Sequence, residues 1–146
     1  MRPPTSTIVV DAAILVAAAR GRSGGALLAA AGWARLVVTD RAVQEARRRI
    51  ELGLRRPELI AVVDDLVAEM TIVPTAALAP VLAPAERALR DAVASRNGAV
   101  RDAHVLALAW CVDADVWTTH RAFAGTGVAS WSTPNLMRAI AAARET

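Results

Sequence analysis

An α/β fold, with a parallel sheet of about five strands between two layers of helices, is predicted by three observations. Short runs rich in valine and isoleucine (IVV, LVVT, TIV, DVWT) recur along the chain, separated by segments of helical length and period. The first run, Ile8-Val9-Val10, is apolar at consecutive positions, as a strand must be when helices cover both faces of its sheet. The segment after it, Ala12 to Ala19, carries no polar side chain and suits a buried helix. Right-handed crossovers leave few topologies, and a three-layer α/β/α arrangement is the most economical.

Thr7 to Val10 reads as a strand and Ala12 to Ala19 as a helix. Gly21 to Gly25 reads as a loop, Gly25 to Gly32 as a second helix and Arg35 to Thr39 as a strand. Asp40 is placed to cap a long helix through Leu54, in which Val43, Ala46, Ile50 and Leu54 share a face. Pro57 to Met70 predicts a helix with Leu59, Val62, Val63, Leu66 and Val67 inward, then Thr71 to Val73 a short strand and Pro74 to Pro84 a proline-spaced connection. Helices are expected over Pro84 to Arg96 and Arg101 to Val112, with a turn at Asn97-Gly98 between them. Asp115 to Thr118 and Val128 to Trp131 read as the last strands. Thr133-Pro134 reads as the N-cap and first-turn proline of a closing helix that buries Leu136, Met137 and Ile140. No repeat or long linker divides the chain, so one domain is expected over residues 1–146.

A 55% hydrophobic content and a mean hydropathy of +0.36 raise the question of a membrane. The apolar runs Ala12 to Ala19 and Ala26 to Ala34 have 8 and 9 residues. A bilayer span needs roughly 20. With no cleavage-type leader and a single cysteine, the expectation is a cytoplasmic protein without an internal disulfide, Cys111 being a small buried hydrophobe. All 17 basic residues are arginine, and the net charge is +3. Codon usage accounts for such a bias, but arginine also binds phosphate bidentately.

A carboxylate at the carboxyl end of a buried strand is costly unless something binds it, and that edge of an α/β sheet is where ligands sit. Asp11, directly after Val10, is such a group. Glu45 lies off the apolar stripe of its helix, toward solvent or a cleft; Asp102 lies in the first turn of a very apolar helix. The strand Val116-Trp117-Thr118 ends at Thr119-His120 on the same edge. Carboxylates gathered in a cleft repel one another; a divalent cation removes that penalty, and all-oxygen ligation favours Mg²⁺ or Mn²⁺. Three acids in a basic surround suit metal-dependent phosphodiester hydrolysis. Each residue also has a plainer use: Asp11 as a helix cap, Asp102 as a complement to the helix dipole, Glu45 as a solvated neighbour of Arg47, Arg48 and Arg49, His120 as a loop residue, and His104 as a structural one.

Four blocks in order, IVVDAAILVAAA (Ile8 to Ala19), LVVTDRAVQEA (Leu36 to Ala46), RDAHVLALAW (Arg101 to Trp110) and DVWTTHRAFAGTGVASWSTPNLM (Asp115 to Met137), resemble the PIN domain, the nuclease module of VapC-type toxins. The resemblance implies a three-layer PIN-like fold, a Mg²⁺ or Mn²⁺ site held by Asp11, Glu45 and Asp102, and ribonuclease activity on single-stranded RNA. For toxin members it implies a small antitoxin partner and often a homodimer. Thr118 and His120 would shape the rim, and Arg47, Arg48 and Arg121 would hold the RNA backbone. The closing block departs from the family pattern, because His120 stands where an acid is usual. A histidine there either ligates manganese or acts as a general acid, or it leaves a weakened module that binds RNA or a protein without cutting. Other classes find little support: neither a Gly-x-Gly-x-x-Gly nor a P-loop follows the first strand, and no Gly-x-Ser-x-Gly elbow occurs.

Overall fold

The three residues Ile8, Val9 and Val10 of strand β1 (Thr7–Val10) are inaccessible to solvent, because β1 is the middle strand of a sheet covered on both faces. The computed structural model describes residues 2–21, 24–91, 99–119 and 123–145. In it, β2 (Arg35–Thr39), β3 (Thr71–Val73), β4 (Asp115–Trp117) and β5 (Ser130–Trp131) join β1 in a five-stranded parallel sheet of order β3-β2-β1-β4-β5. Val9 lies opposite Val37 on one side and Val116 on the other.

Successive strand residues feed opposite cores, as the two-residue period of a strand requires. Ile8, Val10, Leu36, Val38 and Trp117 pack beneath α1 (Ala12–Ala19), α2 (Gly24–Trp33), α3 (Asp40–Arg48), α4 (Ile60–Ala68) and α7 (Thr133–Arg144). Val9, Val37 and Val116 pack beneath α5 (Ala79–Asp91) and α6 (Ala103–Val112). The result is the three-layer α/β/α arrangement expected from the sequence. Each of the three central valines contributes about 1.5–3 kcal/mol by leaving water.

Local chemistry departs from the sequence reading at several points. Thr39, not Asp40, caps α3: its backbone is extended, and its hydroxyl accepts from the Ala42 amide at 3.0 Å. After Arg48 the helix widens into a π-helical stretch, Arg49–Leu54, which keeps Ile50 and Leu54 against one core before Arg55 turns away at φ 55°. Pro57 to Leu59 form a 3-10 turn before α4, and on α4 Val62 is exposed rather than inward. The connection after Pro74 is helical. A 3-10 turn (Thr75–Leu78) leads into α5, which contains Pro84 although the missing N–H costs one backbone bond. Burial of Ala85 and Leu89 against α6 offsets that loss. Ser132 rather than Thr133 caps α7, accepting from the Asn135 amide at 3.3 Å, and Pro134 sits in its first turn. Cys111 is exposed, because it falls on the outward side of the last turn of α6. Among the described residues, no helix is long and apolar enough to cross a membrane. The expected turn at Asn97-Gly98 lies outside the described residues.

At the amino edge of the sheet, buried Asp115 is locked by four donors or partners from distant chain. Arg2 and the Trp131 indole each donate to its carboxylate at 2.8 Å, the Thr5 amide donates at 3.2 Å, and the Asp115 amide donates to Thr5 Oγ1 at 2.8 Å. Replacing Asp115 by Ala leaves buried donors unpaired and is expected to lower unfolding free energy by about 2–4 kcal/mol in urea titrations. Arg2→Ala, which removes a half-exposed partner, is expected to cost less than about 1 kcal/mol in the same assay.

Candidate active site

The carboxyl edge of the sheet collects polar groups that the two apolar faces exclude. Asp11, 4% exposed, is the N-cap of α1. The Ala12 amide donates to its Oδ1 at 2.7 Å, and the hydroxyl of Thr118, the residue just after β4, donates to its Oδ2 at 2.6 Å. β1 and β4 flank the point where the strand order reverses direction, which is where open α/β sheets bind ligands. Asp11 therefore serves as a cap at the switch point of the sheet. Thr118 is equally buried and is tied to β5 through its amide, which donates to Trp131 O at 3.0 Å.

On the β2 side of the same edge, Thr39 joins two helices. Its hydroxyl lies 2.8 Å from His104 Nδ1, in the first turn of α6. With the Thr39 oxygen already accepting from Ala42, we assign the hydroxyl proton to Nδ1, which leaves the ring proton on Nε2. His104 is 1% exposed, and its pKa is pushed down to about 4, first by burial and then by the nearby Arg41 guanidinium; Glu45 and Asp40 pull weakly the other way. Asp40 is occupied elsewhere. The Thr75 amide and hydroxyl donate to its Oδ1 at 2.8 and 2.5 Å, and the hydroxyl bond is the first cause holding its carboxyl below the usual range.

Between α3 and the start of α6 lies an open cavity of about 630 Å³, bordered by Arg41, Gln44, Glu45, Arg48 and Arg49 of α3 and its continuation, and by Arg101 and His104. The α3 residues recur at helical spacing, so one face of the helix forms the wall. Glu45 is held by Arg49, whose guanidinium donates to Oε1 at 2.6 Å. Asp102 is half-buried at the junction of a 3-10 turn (Ala99–Asp102) with α6, directly after Arg101.

The sequence-derived site residues thus distribute unevenly. Asp11 and Thr118 are bonded to each other, Glu45 and Arg48 share the cavity, and Asp102 adjoins it through Arg101. Arg47 faces the other way, donating to Asp64 at 3.0 Å. His120 and Arg121 lie outside the described residues. Asp11 and Asp102, each the residue before a helix, and Glu45, in the second half of α3, are oxygen donors of the kind a hard divalent cation takes. Among the described residues, however, no group of three Asp, Glu, His or Cys side chains is arranged to hold an ion together, and Asp11 and Glu45 are each bound by protein donors instead. Arg41, Gln44 and Arg101 escaped the sequence reading. The polar stripe Arg41, Gln44, Glu45, Arg48, opposite the apolar Val43, Ala46 and Ile50, was the signal for the first two.

The buried neutral imidazole generates a stability prediction. The unfolded chain binds a proton at an ordinary histidine near 6.5, whereas folded His104 does so only near 4. Between those values the unfolded state holds more protons, so acid favours unfolding. Denaturation of wild type and His104→Asn should therefore show wild type losing roughly 3 kcal/mol relative to the variant as pH falls from 6.5 to 4.

No curated protein matches this chain. A family model described as the PIN domain matches residues 9–141, which takes in every strand and helix from β1 into α7. Given that match and the five-stranded parallel sheet beneath it, the chain belongs to the PIN domain family, whose fold is of nuclease type.

Proposed function

We propose that the protein is a metal-dependent ribonuclease that hydrolyses phosphodiester bonds of single-stranded RNA, and that it acts as the toxin of a type II toxin–antitoxin pair with a small antitoxin as partner. The observation that carries the nuclease reading is the placement of Asp11 and Thr118 at the switch point of the sheet, on the same carboxyl edge at which Thr39 bonds His104 of the arginine-rich cavity. Nucleases of this family typically use divalent metals. Asp11, Glu45 and Asp102, which do not form one cluster among the described residues, are the carboxylates that would hold Mg²⁺ or Mn²⁺, and the ion would supply Lewis acidity for phosphodiester hydrolysis. Thr118 orients the Asp11 carboxylate through its hydroxyl, and the Ala12 amide does so from the other oxygen. The Glu45 carboxylate is shared with Arg49, which aligns it beside the phosphate-binding wall. Arg48 would hold RNA backbone and Thr118 would contribute to the rim, roles that the family pattern also gives to Arg121 and His120, which lie outside the described residues.

The test is cleavage of a labelled single-stranded RNA with Mg²⁺ or Mn²⁺, with and without chelator. Wild type is expected to cut only with the ion. Asp11→Asn, which keeps the side chain's size and its capping oxygen, is expected to lose cleavage while melting within a few degrees of wild type. Equal cutting by both proteins, or cutting that survives chelation, rejects the assignment. An inert wild type rescued by His120→Asp would establish a non-cutting binding module instead.

A further inference from the structure

The cavity beside α3 gathers four guanidiniums against one carboxylate, a positive balance as large as the net +3 of the whole chain. The concentration is therefore local and not a reflection of overall composition. Glu45 neutralises only Arg49, and among the described residues Arg41, Arg48 and Arg101 have no carboxylate partner. Unpaired like charges around one cavity repel one another and favour an anion between them. His104 adds no charge, since the ring is neutral, but it closes the floor.

The geometry distinguishes a chain of anions from a single one. Arg41 and Arg48 stand two turns apart on α3, about 10 Å along the axis. Arg101 faces them from the 3-10 turn that leads into α6, a helix of the opposite layer of the sandwich. One free phosphate would meet one end of this wall, whereas a polynucleotide backbone can engage both ends and Arg101 together. The planar guanidinium fork suits phosphate oxygens, and the open mouth leaves bases in solvent.

We infer that Arg41, Arg48 and Arg101 form a phosphate track that binds the backbone of single-stranded RNA independently of any metal ion. This rests on the RNA-directed reading above and assigns Arg41 and Arg101 as substrate-binding residues. The track carries affinity and not sequence preference, because its contacts are to phosphate. Its position against Glu45 lays the backbone across the carboxylate edge.

The experiment measures binding of a fluorescent 12-nucleotide oligouridylate (about 12 units long to exceed the wall) by anisotropy in EDTA, over a series of KCl concentrations. Each lost phosphate contact on a single strand flattens the plot of log K against log salt by about 0.7. Arg41→Ala and Arg101→Ala are each expected to flatten it by that amount and to weaken binding by about tenfold. Arg144→Ala, an exposed charge-matched change at the far end of α7, is expected to leave the slope unchanged. Thermal melts of all three variants establish that each is folded, and Arg41→Gln and Arg101→Gln, which keep a long side chain without the charge, should reproduce the Ala slopes. Wild type that binds no RNA in EDTA, or Arg41 and Arg101 variants whose slopes match Arg144→Ala, overturns the track. An oligoglutamate of equal charge that binds as tightly as RNA overturns it in favour of an acidic peptide. Cleavage that fails while the slopes behave as expected rejects the nuclease reading and leaves the track standing; cleavage that succeeds with unchanged slopes does the reverse.

Discussion

The carboxylate of Asp11, buried at the end of a strand that has no solvent-facing side, is the constraint around which the carboxyl edge is organised. It starts α1 through the Ala12 amide and ties the end of β4 to the end of β1 through the Thr118 hydroxyl. A charged group in this position is tolerated because each oxygen has a donor. The same bonds fix the carboxylate at the point where the sheet reverses its strand order, with its direction set by backbone and by a buried hydroxyl rather than by solvent.

Both faces of the sheet are apolar, so polar function is displaced to the two edges. The amino edge is used for closure: Asp115 draws Arg2, Thr5 and Trp131 together across long sequence separations. At the carboxyl edge, Thr39 links the start of α3 to His104 of α6, bridging the two helical layers. That link sets the distance across which the arginine wall of α3 faces Arg101. Packing and site are coupled here, since the hydroxyl that caps α3 also fixes the imidazole that floors the cavity.

Much of the fold was readable because its main elements are locally consistent. The spans of β1, α1, β2 and β3 match the sequence reading residue for residue, since valine runs and uninterrupted alanine-leucine segments leave little choice of state. The failures share a cause: a tertiary contact outweighed a local preference. Pro84 sits inside α5 because that helix buries Ala85 and Leu89 against α6, and Thr39 takes the cap because Asp40 is drawn to Thr75. Cys111 is exposed because α6 turns that position outward at its end, which hydrophobic character alone does not reveal.

The sequence by itself determined the parallel three-layer architecture and the acids that begin α1 and precede α6, because period and strand composition act over a few neighbouring residues. Only the tertiary structure decided how charge is shared. It turned Arg47 toward Asp64, gave Glu45 to Arg49, bonded Thr118 to Asp11 and set Arg41 and Arg48 across from Arg101. Those pairings join residues from separate elements, and the direction in which a long arginine side chain points follows from which neighbours the fold brings within its reach.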